Sequence, residues 1–181
     1  MNKKAFAISE AVGCAVIFAA AVYLHFAYQL SGGSALGMVF GAVNESVWEH
    51  VKIFSAAYTG WAMIQLCWIR VPFRRYVAAK CAGLYFLMGF MILFFYAYTY
   101  FAGTNILWLD ILSSFVTVAA AQFISFMGTT GDNRLGEYFA PALMLLMLYY
   151  LMFFSFTVFP PKLGLFRDPV FGGYGIEAQK F

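Results

Sequence analysis

The segment at residues 44–52 holds the densest set of side chains able to do chemistry. Its sequence is Asn-Glu-Ser-Val-Trp-Glu-His-Val-Lys. A helical period places Glu45, Glu49 and Lys52 along one stripe, with His50 on the adjoining stripe. Two carboxylates one turn apart beside an imidazole suit a hard or borderline cation. The same groups suit acid-base chemistry, since crowded carboxylates repel each other and an imidazole can act as a base or shuttle.

Groups from distant parts of the chain are expected to complete this set. His25 or Asp110 can supply the remaining ligands of a cation, and Arg167 can serve as a charge-assisted partner of the carboxylates. The alternative is an exposed interfacial face with an i,i+3 ion pair, and for His25 an anchor at the level of the lipid headgroups. The candidates for ligand binding or proton transfer are Glu45, Glu49, His50, Asp110, Arg167 and Asp168. The candidate ligands of a divalent metal are His25, Glu49, His50 and Asp110.

The composition places the chain in a membrane. Of its 181 residues, 64% are hydrophobic and only 10% are charged, whereas soluble domains carry roughly a quarter charged residues. This excludes a soluble domain and a disordered chain, and it makes the lipid bilayer the main partner. The net charge of +3 is too small and too scattered for nucleic-acid binding.

The apolar stretches predict an all-α, polytopic membrane helix bundle at residues 1–159. Helices of about 20 apolar residues cross a bilayer, and Pro72, the turn at Gly103 and the prolines at 160–161 separate such stretches. We expect five transmembrane helices and one interfacial or re-entrant helix. The expected spans are 5–30, 51–71, 76–102, 106–127 and 138–159, and the interfacial or re-entrant helix is expected at 36–52.

The positions of the basic residues predict the orientation. With a cytoplasmic amino terminus, 7 of the 11 Lys and Arg residues lie inside and 4 lie outside, as the positive-inside rule favours. The protein is then a multi-pass protein of the cell membrane with an extracytoplasmic carboxyl terminus. The unusual polar groups fall at the outer leaflet, where we expect them to meet in one chamber, because charge buried in lipid is costly.

Three further features carry predictions. Glu10 lies on the inner half of the first span and is expected to pair with Lys80 or Arg134. The tail at residues 160–181 is too apolar for a solvated extension and is expected to fold over the outer mouth. Small residues at Ala11, Ala15 and Ala19 permit close helix packing, either inside the bundle or against a second copy or a partner membrane protein.

The motif at 44–52 resembles a family of small bacterial multi-pass membrane proteins of uncharacterised function. A second motif, Phe166-Arg167-Asp168-Pro169 followed by Gly172, Tyr174 and Gly175, carries the same resemblance at the other end of the chain. The resemblance implies a bacterial membrane protein and assigns no activity. It supports treating the two motifs as one functional unit.

Three functions fit these observations. The first is binding or transport of a small solute or cation through an acidic, histidine-containing pocket near the outer leaflet. The second is an intramembrane enzyme, metal-assisted or acid-base, acting on a lipid or lipid-linked substrate. The third is a structural subunit of a membrane complex.

Overall fold

A computed structural model describes residues 1–131 and 134–176 of the chain. Within these ranges it contains α-helices, two short 3-10 helices and no β-strand, which confirms the all-α prediction. The α-helices are α1 (Lys3–Leu30), α2 (Ala35–Phe40), α3 (Val47–Gln65), α4 (Phe73–Ala102), α5 (Leu107–Thr130) and α6 (Phe139–Val158), and the 3-10 helices are Arg134–Tyr138 and Gly164–Phe166.

Within residues 1–131 and 134–176, four segments are long and apolar enough to cross a membrane. They are α1, α4, α5 and the stretch Arg134–Val158, which contains α6. The chain therefore has the helices of a polytopic membrane protein. The predicted count of five spans is not confirmed, because α3, at the position of the expected span 51–71, ends at Gln65 and does not meet the same criteria.

Helix α3 nevertheless runs beside α1 from Ser9 to His25. Gln65 donates a hydrogen bond to Ser9 at one end, and the His50 ring lies 5.2 Å from the His25 ring at the other. The two helices are therefore antiparallel, and roughly 22 Å of helical rise separates these contacts. Since α3 is largely buried by its neighbours, protein groups rather than lipid surround its polar residues.

A ring of four helices forms the bundle, with α1 packed on α3 and α5, and α4 packed on the same two helices. Helix α6 packs on the outside of α4. The middle of the ring is filled by side chains with no exposed surface, and this packed layer separates the two ends of the bundle. These side chains include Ile17, Ala21, Leu84, Leu87 and Val118.

One end of the ring encloses a buried polar network. Lys80 Nζ lies 3.0 Å from Glu10 Oε2 and donates to Gln122 Oε1 at 2.8 Å. Ser125 donates to the other Glu10 oxygen at 3.1 Å, and Gln65 donates to Ser9. The prediction that Glu10 pairs with Lys80 is confirmed. Each charge is paired and hydrogen-bonded, which is how membrane proteins tolerate buried charge.

The expected helix at 36–52 is wrong in its extent. Helix α2 ends at Phe40, and a second helix begins only at Val47, with residues 41–46 non-helical between them. The backbone becomes extended at Gly41, with ψ of 169°, and the Ala42 N–H donates to the Leu24 carbonyl of α1 at 3.2 Å. A Cβ on Gly41 would lie 3.0 Å from that carbonyl oxygen, so this close approach to α1 requires glycine. The Ser46 hydroxyl then accepts from the Glu49 N–H and caps a new helix.

Replacing Lys80 by Met should lower the free energy of unfolding by about 3–5 kcal/mol, because Glu10 would stay buried without its partner. The double variant Glu10→Gln/Lys80→Met should recover at least half of that loss. The control Lys4→Met, at an exposed position, should change the free energy of unfolding by less than about 0.5 kcal/mol. SDS titration followed by far-UV circular dichroism measures all three. Equal losses in the single and double variants would show that the ion pair is not what holds this network.

Candidate functional site

The loop at residues 41–46 is held against α1 at the end of the bundle opposite the Glu10 network. The Ala42 N–H donates to the Leu24 carbonyl at 3.2 Å, one residue from His25. Asn44 Oδ1 accepts from the Ser46 N–H at 2.9 Å, which fixes the turn before α3. These bonds place Glu45 between α1 and the first turn of α3.

A buried ion pair fastens this loop from the inside. Glu49 Oε2 lies 2.7 Å from Lys52 Nζ, and the two side chains are 3% and 0% exposed. Glu49 Oε2 also accepts from the Val43 N–H at 2.9 Å, while Lys52 donates to the Met38 carbonyl at 3.2 Å. The pair therefore connects α3 to α2 and to the loop. We call these two side chains, Glu49 and Lys52, the clamp.

The carboxyl-terminal tail contacts the same loop. Asp168 is fully buried, and its Oδ2 accepts from the Glu45 N–H at 3.3 Å. Its Oδ1 accepts from the N–H groups of Val170 and Phe171 at 2.6 and 3.1 Å. Asn44 donates to the Gly175 carbonyl at 3.1 Å. The Asp168 carboxylate thus fixes both the turn of the tail and the backbone of Glu45. Residues 177–181 of the tail, which include Lys180, lie outside the described residues.

Ring packing reinforces this contact. The Trp48 indole lies 5.2 Å from the Phe166 ring, and Phe166 in turn packs edge-on against Phe156 of α6 at 5.2 Å. Trp48 is buried rather than lying at a membrane surface. The tail therefore binds the loop at residues 41–46 through hydrogen bonds and packs on Trp48 of α3 through buried aromatic surface.

Three side chains converge around the loop and form what we call the triad: His25 from α1, Glu45 from the loop and His50 from α3. His25 Nε2 lies 3.6 Å from Glu45 Oε1, and His50 Nε2 lies 3.7 Å from Glu45 Oε2. One ligand atom from each residue lies within 4.8 Å of the other two. Their side chains are 24%, 45% and 38% exposed, so the group is accessible from outside the bundle.

The orientation of His50 is set by the backbone. Its Nδ1 lies 2.9 Å from the Ser46 carbonyl oxygen, which can only accept a hydrogen bond, so Nδ1 carries the proton. In the neutral imidazole the lone pair is then on Nε2, the atom that faces Glu45. A backbone carbonyl that fixes one ring nitrogen while the other binds is the usual arrangement around a metal-binding histidine.

The spacing of the triad fits a tetrahedral metal ion. Ligands at about 2.0–2.2 Å from zinc lie roughly 3.3–3.6 Å from one another in a tetrahedral site. The two nitrogen–oxygen distances in the triad, 3.6 and 3.7 Å, lie at or just above the upper end of this range and are too long for direct hydrogen bonds. The ligand atoms of the two histidines lie within 4.8 Å of each other, so a bound ion would draw them closer together. Two imidazoles and one carboxylate would leave at least one position on the ion for water or a substrate.

The remaining predicted site residues lie elsewhere. The Glu49 carboxylate belongs to the clamp. Asp110 accepts a hydrogen bond from Tyr98, which joins the end of α4 to the start of α5. Arg167 is exposed, and within residues 1–131 and 134–176 it forms no ion pair. The polar residues expected in one chamber thus divide among the triad, the clamp, the tail turn at Asp168 and the turn between α4 and α5.

The sequence patterns predicted Glu45 as a ligand-binding residue but not as a metal ligand. The signal was present in Ser46-Val47-Trp48-Glu49, a Ser-x-x-Glu pattern that marks the start of a helix. Such a start puts Glu45 before the helix, so it does not share a stripe with Glu49. This start of α3 also directs the Glu49 side chain toward the inside of the bundle and places His50 beside Glu45.

A family model described as a family of unknown function, DUF6512, matches residues 2–176. The chain belongs to this family. The resemblance to an uncharacterised family is thereby confirmed, while the bacterial source stays a prediction. No curated protein and no solved structure matches the chain.

Replacing Asp168 by Ala should free the tail, because the N–H groups of Glu45, Val170 and Phe171 lose a buried acceptor. A loss of about 1–3 kcal/mol corresponds to roughly 5- to 150-fold faster amide hydrogen exchange. The neighbouring Arg167→Ala variant, at an exposed position, should leave exchange within about twofold of the unaltered chain. Exchange measured by mass spectrometry on the peptides that cover residues 44–46 and 168–172 compares the two. Equal protection in both variants would contradict the role given to Asp168.

Proposed function

We propose that this member of the DUF6512 family is a membrane protein that binds a divalent transition-metal cation at the triad. The observation that carries the proposal is the convergence of His25, Glu45 and His50 from three separate parts of the chain, with their ligand atoms within 4.8 Å. Two imidazoles and a carboxylate form a set typical of borderline ions such as Zn²⁺.

The electrostatics of the triad favour a cation. With neutral imidazoles the three groups carry one negative charge, and a divalent ion would bring them to a net charge of +1. Glu49 and Asp168, the nearest buried carboxylates along these segments, already have partners of their own. Glu45 is therefore the carboxylate left to bind an ion.

The proposed setting is the cell membrane, with the amino terminus in the cytoplasm. The excess of basic residues at the Glu10 end supports this orientation, which puts the triad at the extracytoplasmic face. With α3 as a fifth crossing, the two termini lie on opposite sides. The tail then covers the outer mouth through its contacts with Asn44 and Glu45.

In this arrangement the triad captures a cation from the extracytoplasmic side, as the first step of transport. Side chains such as Ile17 and Leu84 close the middle of the bundle, so passage to the other side requires the helices to rearrange. Ala11, Ala15 and Ala19 are exposed on α1, and we propose this stripe as the contact with a second copy or a partner membrane protein.

A second candidate function is a metal-assisted enzyme acting on a lipid or lipid-linked substrate. The partial exposure of all three triad side chains favours it, because a substrate could reach a bound ion without opening the bundle. A metal-bound water would then be the nucleophile.

Titration of the purified chain with Zn²⁺ in a calorimeter tests the binding proposal. We expect one ion per chain, and at least about a hundredfold weaker binding in His25→Ala, Glu45→Gln and His50→Ala, since each removes a ligand. Asp110→Asn and Glu137→Gln, which change carboxylates outside the triad, should bind like the unaltered chain. Tight binding that survives Glu45→Gln, or that is lost in Asp110→Asn, would overturn the assignment.

Proteoliposomes that enclose a Zn²⁺-sensitive dye test the transport step. External Zn²⁺ should raise the signal faster with the unaltered chain than with Glu45→Gln, by at least about fivefold if the triad is on the route, since that variant is weakened at the entry site. Asp110→Asn again serves as the matched control. Equal rates in a preparation whose binding does depend on Glu45 would exclude transport and favour the enzyme.

A further inference from the structure

The end of the bundle opposite the triad carries a concave surface lined by arginines. It lies where the start of α4 meets the 3-10 helix Arg134–Tyr138, and it forms an open cavity of about 580 Å³. Arg74, Arg75 and Arg134 line it, and Glu137 is the one acidic residue among its lining side chains. Asp132, next in sequence to Gly131, lies outside the described residues. We call this the arginine surface.

The three guanidinium groups are held in different ways. Arg75 donates to the Gly131 carbonyl at 2.7 Å and is fixed as a wall of the cavity. The Arg74 guanidinium lies 5.5 Å from the centre of the Phe139 ring, which orients it without using its hydrogen-bond donors. Arg134 pairs with Glu137 at 3.3 Å, but both side chains are more than 60% exposed, so this pair is weak. Arg74 and Arg134 therefore keep donors for a ligand.

An apolar groove adjoins the arginine surface. It runs between α4 and α5, has a volume of about 440 Å³, and is lined by small residues such as Ala79, Ala82 and Gly128 together with Phe123 and Met127. Gly131 connects the two features, since it lines the groove and its carbonyl binds Arg75. A ligand that fits both must have an anionic head and an apolar chain.

The position along the helices agrees with such a ligand. The arginine surface lies at the ends of two segments that are long enough to span a membrane, α4 and Arg134–Val158. Phe73 and Tyr138 at the same level are 54% and 61% exposed, as aromatic residues at a membrane interface are. The arginines thus lie at the depth of the lipid phosphates, and the groove lies at the depth of the acyl chains.

We infer that this end of the bundle binds an anionic phospholipid. Arg74 and Arg134 donate to the phosphate, for which the planar guanidinium is well shaped. One acyl chain lies in the groove between α4 and α5. The arginine surface alone would bind a free phosphate as well, but a free phosphate has no acyl chain to occupy the apolar groove. This site is separate from the triad and does not depend on metal binding.

Native mass spectrometry of the full chain in detergent tests the inference, with dioleoyl phosphatidylglycerol and dioleoyl phosphatidylcholine as probes. We expect at least a roughly tenfold preference for phosphatidylglycerol. Arg74→Gln/Arg134→Gln should reduce that preference to within about twofold, while Arg74→Lys/Arg134→Lys, which keeps the charges but loses the planar donors, should give a preference between these two. Lys162→Gln, which removes an exposed charge at the opposite end of the bundle, is the matched control and should not change the preference.

The groove is tested separately with Ala82→Phe, which fills it from an exposed position on α4. This variant should bind less phosphatidylglycerol, by about fivefold or more given the apolar contact that an acyl chain would lose. Ala97→Phe, at an exposed position near the other end of α4, should bind as the unaltered chain does. Far-UV circular dichroism verifies that each variant is folded, and Arg74→Gln alone replaces the double variant if that one is not.

Three results would overturn the inference. The first is equal binding of the two lipids by the unaltered chain. The second is a loss in Lys162→Gln or Ala97→Phe as large as in the matched site variant. The third is displacement of phosphatidylglycerol by millimolar inorganic phosphate, which would identify a free phosphate rather than a lipid as the ligand.

Discussion

The buried ion pair between Glu49 and Lys52 is the interaction on which the candidate site depends. Removing two charges from water costs several kcal/mol for each ion, and an isolated charge could not stay in this interior. The cost is offset by the short contact of 2.7 Å and by bonds to the backbone at Val43 and Met38. Because those bonds reach α2 and the loop, the clamp sets the path of the chain on which Glu45 lies.

Two kinds of polar group can be distinguished in this bundle by their partners. The clamp and the Glu10–Lys80 network are buried and hydrogen-bonded, so their chemistry is used to hold helices together. In the triad, by contrast, the three side chains are partly exposed and too far apart for direct hydrogen bonds. A group of potential ligands that is positioned by the backbone but not satisfied within the protein is what a binding site requires.

The sequence was sufficient for the elements whose limits depend on local chemistry. Pro72 and Gly103 mark the ends of α4, which begins at Phe73 and has Gly103 in the left-handed conformation after its last residue. The cost of charge in lipid also predicted that Glu10 must have a basic partner, and Lys80 is that partner.

The candidate site was harder to predict. A buried charged side chain needs a partner, but the cost of burying it does not determine which residue that partner is. Asp110 satisfies the requirement with Tyr98 on the adjoining helix, and Glu49 satisfies it with Lys52 three residues later. The sequence pattern around these two pairs does not distinguish them from a set of metal ligands. The start of α3 at Val47 decides which carboxylate turns inward, and the Ser46 side chain that caps this start belongs to a local sequence pattern. The position of His25 beside Glu45, by contrast, depends on the packing of α1 against the loop, which no local pattern contains.

The central claim is that His25, Glu45 and His50 bind one metal ion together, and Zn²⁺ X-ray absorption spectroscopy of the loaded chain tests it most directly. We expect nitrogen and oxygen ligands at about 2.0–2.2 Å with outer-shell scattering from two imidazole rings, and from one ring only in His50→Ala. A spectrum without imidazole scattering, or one unchanged by His50→Ala, would contradict metal binding at the triad.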